Sequence, residues 1–455
     1  MSSFHRSVEG HCLAHWGVEL AVCAACVVTA SADGPRIVAG PMFTPAADGT
    51  LTVWIQTNRP AALQCLQTVV RRPFTPDSQP FCLRPVRHRI DTTRSERHIG
   101  ALSLHVLPHA EYALSFQVDE RPSETPLARC RIRPPPDRGR PGKYTIAFGS
   151  CAHTGRFPRQ PIWKALAHEH PDCFLFIGDN MYLPGRASGF PDGREAVLKL
   201  YRDRYDRQMR VPEFRSFLRS TPVFAIWDDH DYGLNNSDRT WPWKDVAIQT
   251  LSEYFPNEYG LPDARGAFYR FSWGDLDFFM LDDRTFRDPN DDPTRKTMFG
   301  QRQLTWLKEG LRRSKATFKI IAGGNQMLSD THRYESWGVQ FRPERDAFLE
   351  WIWSEAIDGV VFLAGDRHIA ELVRKRDPGN RGEDLWELTS SPLANVHYAL
   401  AANIANPDRV ALYADGVNAG LLHFDTAADP PRVEFRVINA QGEPMITRTV
   451  RLRRR

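Results

Sequence analysis

A chain of 455 residues that is 42% apolar and 11% aromatic, with 12 tryptophans, can bury enough surface to offset chain entropy, which excludes disorder as its main state and favours two packed units. Its 59 basic and 55 acidic side chains leave a formal net charge of only +4, which excludes a general nucleic-acid coat, so no nucleic-acid partner is expected. No run approaches the ~18 apolar residues that a membrane-spanning helix needs.

Near the N-terminus, Arg6 precedes an apolar stretch from Leu20 to Val28 that ends in the small-x-small pattern Ala30-Ser31-Ala32. Residues 1–35 are therefore predicted to be a signal peptide and the protein to be extracytoplasmic, whether periplasmic, envelope-held or secreted. Cys12, Cys23 and Cys26 would leave with that leader, while one disulfide among Cys65, Cys82 and Cys130 is allowed in an oxidising compartment, the pair being left open. From Ile37 to Arg133, alternating runs such as Leu51 to Gln56, His98 to Leu107 and Tyr112 to Val118 are separated by Pro, Gly and Asp turns. Period two at that spacing predicts an antiparallel sandwich over residues 36–136. The Pro-rich stretch 134–142 reads as a stiff linker. Residues 137–455 then alternate apolar runs with helices predicted at Pro161–His170, Ala196–Met209 and Gly300–Ser314, which is the α/β signature. Strand alternation returns over Leu421–Phe424 and Arg432–Arg451 and is expected to close a sheet edge, and no internal repeat argues for a solenoid.

In this second region each of six apolar runs ends in a polar tip. Tyr144–Phe148 leads into Gly149-Ser150-Cys151, Cys173–Ile177 into Gly178-Asp179-Asn180-Met181-Tyr182, and Val223–Trp227 into Asp228-Asp229-His230-Asp231. Leu276–Leu281 leads into Asp282-Asp283-Arg284, Phe318–Ala322 into Gly323-Gly324-Asn325-Gln326, and Val360–Ala364 into Gly365-Asp366-Arg367-His368. Carboxyl ends of strands in α/β sheets line one crevice, so these tips are expected to converge although they are distant in sequence.

Carboxylates, imidazoles, an amide, a phenol and one thiol are ligands for hard or borderline metals. Zinc-finger chemistry is excluded, because Cys23-x-x-Cys26 has no second pair to answer it. A single cysteine with a tyrosine among carboxylates suits ferric iron, since thiolate and phenolate are anionic and electron-donating. A shared carboxylate such as Asp179 can bridge to a second cation, and two cations roughly 3.5 to 4 Å apart clamp a phosphoryl group and lower the pKa of bound water.

Six linked motifs resemble the PhoD-type alkaline phosphatases, a branch of the calcineurin-like metallophosphoesterases akin to purple acid phosphatases. They are Gly149-Ser150-Cys151, Gly178-Asp179-x-x-Tyr182, Trp227-Asp228-Asp229-His230-Asp231-Tyr232-Gly233, Leu281-Asp282-x-Arg284, Gly300-x-x-Gln303-x-x-Trp306-Leu307 and Gly365-Asp366-x-His368. The resemblance implies an α/β fold, a four-layer αββα metallophosphoesterase domain over 137–455 preceded by an N-terminal β-sandwich over 36–136. It implies a metal-dependent phosphoesterase that hydrolyses phosphomonoesters or phosphodiesters by attack of metal-bound hydroxide, with Fe3+ and Ca2+ or another divalent metal. By position, Cys151, Asp179, Tyr182 and His368 would hold iron, and Asp179 would bridge to a calcium side containing Asp229, Asp366 and Asn325 or its neighbour Gln326. His230 would protonate the leaving oxygen or steady the phosphorus, and Arg284 would bind the phosphate, both as substrate contacts. A monomer acting on a phosphate ester is the expected assembly.

The chain departs from the family in places. Asn235 and Asn236 sit one residue further along than in the commoner form of the third motif, Asp283 stands where threonine is frequent, and no twin arginine precedes the leader's apolar run. His153, His332 and Tyr334 lie in loops able to roof the site, His397 follows Ser390-Ser391-Pro392 near it, and Trp351 and Trp353 are expected in the core. Two other functions share parts of the pattern: an extracytoplasmic binding or adhesin-like protein that keeps a metal site without turnover, and a related metallohydrolase acting on sulfate esters or on lipid or teichoic-acid phosphodiesters.

Overall fold

A computed structural model describes residues 34–46, 49–71, 85–93, 95–108, 110–118, 126–292, 296–333 and 335–452. The expected leader, apart from its last two residues, and Cys82 and Tyr334 lie outside the described residues. Residues 36–455 pack as one compact unit.

The N-terminal part is a sandwich. Strands β1 (Ile37–Pro45), β2 (Thr50–Thr57) and β5 (Ile99–His105) form one sheet in the order β1-β2-β5. Strands β3 (Ala62–Arg71), β4 (Val86–Asp91), β6 (Glu111–Val118) and β7 (Ala128–Ile132) form the other in the order β4-β3-β6-β7. All pairs are antiparallel, as the period-two alternation requires, and Phe43, Val53, Leu63, Leu114 and Phe116 fill the space between the sheets. Cys65 and Cys130 are buried and free, on β3 and β7, with β6 lying between those strands. No disulfide joins them, and burial pushes both thiols up to about 12.

The rest is built on two further sheets. Strands β8 (Lys143–Gly149), β9 (Cys173–Ile177) and β10 (Val223–Ile226) run parallel and are joined by β18 (Asn418–Asp425), β19 (Arg432–Asn439) and β20 (Pro444–Arg451) in the order β10-β9-β8-β18-β19-β20. The second sheet contains β11 (Tyr269–Trp273), β12 (Leu276–Met280), β13 (Phe318–Ala322), β14 (Val360–Ala364), β15 (Ala370–Lys375), β16 (Leu385–Ser390) and β17 (Arg409–Tyr413), ordered β11-β12-β13-β14-β16-β15-β17. Alternation in the strands explains the layering: Ile146, Phe148, Leu175, Phe278, Ile320 and Leu363 meet between the sheets, while Ala147, Phe174 and Phe176 face outward. Helices Ile162–His168, Arg194–Met209, Pro212–Leu218 and Lys244–Tyr254 cover the first sheet, and Gly300–Arg313 and Arg342–Ser354 cover the second. This is the four-layer αββα fold with an N-terminal β-rich part that the motifs implied.

Two expectations need correction. The C-terminal alternation does not only close an edge: β18 pairs with β8 inside the sheet, and of the three C-terminal strands only β20 lies at an edge. The Pro-rich stretch is fastened down rather than acting as a spacer, with Gly139 N–H on the Gly274 carbonyl at 2.7 Å and Arg138 on Asp277 at 3.1 Å. The sandwich is tied on as well: Trp54 Nε1 donates to the Glu253 carbonyl at 2.8 Å and Gln56 Nε2 to Asp206 at 2.8 Å. Trp353 is in the core beneath the second sheet, with Trp351 packed half-buried against it.

Candidate active site and metal centre

The parallel strands of both sheets end on the same side. Cys151 follows β8, Asp179 and Tyr182 follow β9, Asp229 and His230 follow β10, Asp283 and Arg284 follow β12, Asn325 follows β13, and Asp366 and His368 follow β14. Cross-contacts show that these tips meet. The His230 N–H donates to Asp179 Oδ1 at 3.2 Å, Asn325 N–H to Asp283 Oδ2 at 2.9 Å, and Asp366 N–H to Ser150 Oγ at 3.2 Å.

The backbone at these tips is strained. Cys151, Asp179, Asp366 and His368 have φ of 65, 52, 61 and 55°, the left-handed region that non-glycine residues rarely enter. Four such residues, each just after a core strand, are held there by the sheets beneath them. Gly178, at φ 100°, precedes Asp179, and a Cβ there would run into Asp228. Gly178→Ala is therefore expected to destabilise the fold by about 2 kcal/mol or more and to displace Asp179, which a melting curve with a metal assay would report.

On one side lie Cys151, Asp179 and Tyr182, and His368 lines the crevice wall with Asp179. Tyr182 donates its hydroxyl to Asp179 Oδ2 at 2.8 Å, and Cys151 Sγ is 3.2 Å from Ser150 Oγ and 3.8 Å from the Asp366 carbonyl oxygen. Burial, with Asp179 and Asp366 adding, pushes the Cys151 thiol well up, and burial with Asp179 and Cys151 does the same to Tyr182. Burial, followed by the neighbouring His230, brings His368 down to about 4, which favours its neutral, ligating form. These acidic groups sit together in a setting where a cation would favour their anionic forms. His153 stacks on Tyr182 with ring centroids 4.4 Å apart and backs that side.

On the other side, Asp229 takes the Asn236 N–H on Oδ2 at 2.7 Å, and its buried Oδ1 has no hydrogen-bond partner. Asn325 gives Nδ2 to both oxygens of Asp228 at 3.0 Å, an orientation that leaves its buried Oδ1 without a partner too. Two orphaned oxygen acceptors beside a carboxylate cluster fit a hard cation. Gln326 gives its Nε2 to Glu371 at 2.8 Å and Thr389 at 3.0 Å, and its buried Oε1 is likewise without a partner. The side-chain amide of Asn236, oriented to donate, faces Glu335 at 2.9 and 3.0 Å, and Asn235 and Asn236 line the crevice.

Ligand atoms of Asp179, Asp229 and His230 lie within 4.8 Å of one another, as do those of His332, Glu335 and Asp366. His230 Nε2 is 4.0 Å from Asp229 Oδ1, and its ring packs on Tyr182 at 4.5 Å. His332 Nδ1 is 3.8 Å from Asp366 Oδ2, and burial, then Arg367, brings His332 down to about 3. Sequence reasoning missed Glu335, which follows no strand and carries no spacing signal. His397 is exposed and off the crevice wall.

Arg284 is where the sequence expectation fails as geometry. Its side chain is 0% exposed, and it does not line the crevice. It is ion-paired to Asp228, to Glu335 at 2.8 Å and to Asp283 at 3.7 Å, and its Nη1 donates to the Ser237 carbonyl at 3.3 Å. Asp283 is buried with it, and burial raises it to about 6 against the pull of Arg284. The tip is braced by Gln303, which exchanges two 2.8 Å hydrogen bonds with the Asp282 backbone, and by Trp227 Nε1 on Asp282 at 2.8 Å. That explains the Gln303 and Trp227 motif positions as supports.

Above these groups opens a crevice of about 570 Å³ whose wall includes Asp179, His230, Asp366, Arg367, His368 and Tyr398. Two face-packed sheets whose strand tips present carboxylates, imidazoles, an amide, a phenol and a thiol to one crevice define a metallophosphoesterase. The sequence profile described as PhoD-like phosphatase matches residues 146–403, more than half of the chain, and the chain belongs to that family. In fold it is similar to PhoD, with a TM-score of 0.72 at 17% identity over 91% of this chain and 89% of that one. It is also similar to the purple acid phosphatase PPD1 from seeds of yellow lupin (Lupinus luteus), with a TM-score of 0.63 at 11% identity over 92% of this chain and 74% of that one. No curated protein matches it in sequence. The protein is thus a phosphoric ester hydrolase, a metal-dependent phosphoesterase acting on phosphate-ester substrates. No helix among the described residues is long and apolar enough to cross a membrane.

Proposed function

We propose that this enzyme hydrolyses phosphomonoesters and phosphodiesters at an iron–calcium pair bound below the crevice floor. The observation that carries the reading is the pair of buried, unpartnered oxygens, Asp229 Oδ1 and Asn325 Oδ1, set among tips that also bring Cys151, Asp179 and Tyr182 together. Cys151, Asp179, Tyr182 and His368 would hold iron, and Asp179, Asp229, Asp366 and Asn325 would hold calcium; Asn325 is held against the strand-tip carboxylate Asp228, while Gln326 is held by Glu371 and Thr389. Bound cations would supply Lewis acidity, drawing charge from the phosphoryl oxygens and easing deprotonation of the attacking water. The protein orients the rest. His230, 22% exposed at the crevice wall, presents its imidazole to the leaving oxygen, and its position is set by the N–H bond to Asp179 and the ring contact with Tyr182. The small-x-small leader supports an extracytoplasmic location and a monomer is the simplest assembly; a lipid or teichoic-acid phosphodiester remains a compatible substrate.

Two measurements separate these roles. His230→Ala is expected to lower kcat by on the order of 10² to 10⁴ while metal content stays intact; equal metal loss would make His230 a ligand. Iron bound by Cys151 and Tyr182 is expected to give a visible absorption band that Cys151→Ala shifts or removes, and active, colourless, iron-free enzyme would contradict that assignment.

A further inference from the structure

Arg284 is enclosed by carboxylates and does not line the crevice, whereas Arg367 does. We propose that Arg367 is the substrate-contacting arginine, that it binds non-bridging phosphoryl oxygens, and that it favours a dianionic monoester over a monoanionic diester. This rests on the phosphoesterase reading of the same site.

Arg367 sits between Asp366 and His368 in the left-handed turn after β14, on the crevice wall. It is 9% exposed, its Nε is buried without a hydrogen-bond partner, and among the described residues no carboxylate forms an ion pair with it. The contrast with Arg284 is one of partners: that guanidinium is neutralised by Asp228, Glu335 and Asp283, whereas this one keeps its fork unused. A largely buried guanidinium without a close ion pair carries a desolvation cost that an incoming anion offsets. Its placement is fixed: the guanidinium carbon lies 5.8 Å from the Tyr398 ring centroid, and the Tyr398 N–H donates to the His368 carbonyl at 2.9 Å. A planar fork offers two parallel donors, which suits two non-bridging oxygens of one phosphoryl group. A monoester dianion brings a third non-bridging oxygen and a second negative charge, so it gains more from a fixed cation than a diester does.

The test compares holoenzyme and Arg367→Gln on an aryl phosphate monoester and a bis-aryl phosphodiester, with calorimetric binding of inorganic phosphate. Arg367→Gln is expected to lose about 10- to 150-fold in monoester kcat/KM, the range for hydrogen bonds to a charged group, and to weaken phosphate binding similarly. Diester turnover should fall by less than about 5-fold, since one charge fewer is at stake. Arg367→Lys, which keeps charge and stem but loses the fork, should fall between, and it carries the same comparison should the glutamine variant fail to fold. Equal losses on both esters, or unchanged phosphate affinity, would overturn the role of Arg367 alone. Wild type that is fully metallated yet neither binds phosphate nor turns over either ester would remove the phosphoesterase reading, and this proposal with it.

Discussion

Asp179→Ala is expected to lower kcat/KM on every phosphate ester by on the order of 10⁴ or more and to release bound metal, because one carboxylate holds three things in place. Its Oδ2 takes the Tyr182 hydroxyl at 2.8 Å, its Oδ1 takes the His230 N–H at 3.2 Å, and its ligand atom lies within 4.8 Å of those of Asp229 and His230. Alanine deletes the charge and frees both neighbours from their orientation. Asp179→Asn keeps the size and an acceptor, so it should keep the fold while still losing metal and turnover. Metal content, kinetics and a melting curve on the two variants separate these effects; retention of metal and activity in Asp179→Ala would exclude a bridging role.

Arg284→Met should destabilise the protein by about 3 to 5 kcal/mol, the cost of leaving a buried charge network without one partner. The guanidinium is fully buried among Asp228, Asp283 and Glu335, and methionine would fill most of its volume while leaving those carboxylates unbalanced. Asp228 also anchors Asn325 through two 3.0 Å bonds, so the loss should reach the metal site indirectly. A denaturant titration gives the stability change. A substrate-contacting arginine would behave otherwise, raising KM with little change in stability, and that outcome would restore the expectation drawn from the motif.

Much of the fold was legible because its cause is local. Each apolar run from Tyr144 to Ala364 that preceded a polar tip lies in a strand, and the alternation before residue 133 built a sandwich. The polar tips were legible for the same reason: a core strand must end, and polar residues placed there in a parallel sheet share one edge. What was not legible depends on partners distant in the chain. Arg284 and Arg367 both follow a strand-tip aspartate, and only the arrival of Glu335 and Asp228 around one of them shows which is enclosed. Asn325 and Gln326 are adjacent amides, and only the fold shows that the Asn325 amide nitrogen meets Asp228 while that of Gln326 meets Glu371 and Thr389. Likewise, nothing in the alternation of Leu421–Phe424 tells that this strand inserts beside β8 instead of staying at an edge.

The most direct measurement is hydrolysis of a phosphate monoester and a phosphodiester by purified protein, with metal content determined on the same sample before and after removal of calcium by a chelator. Turnover that tracks bound metal, disappears on chelation and returns when calcium is restored is the expected result, since oxygen ligands such as Asp229 and Asn325 hold that cation by charge. Turnover indifferent to chelation, or fully metallated protein with no activity on either ester, would contradict the assignment of these strand tips to a calcium-containing phosphoesterase centre.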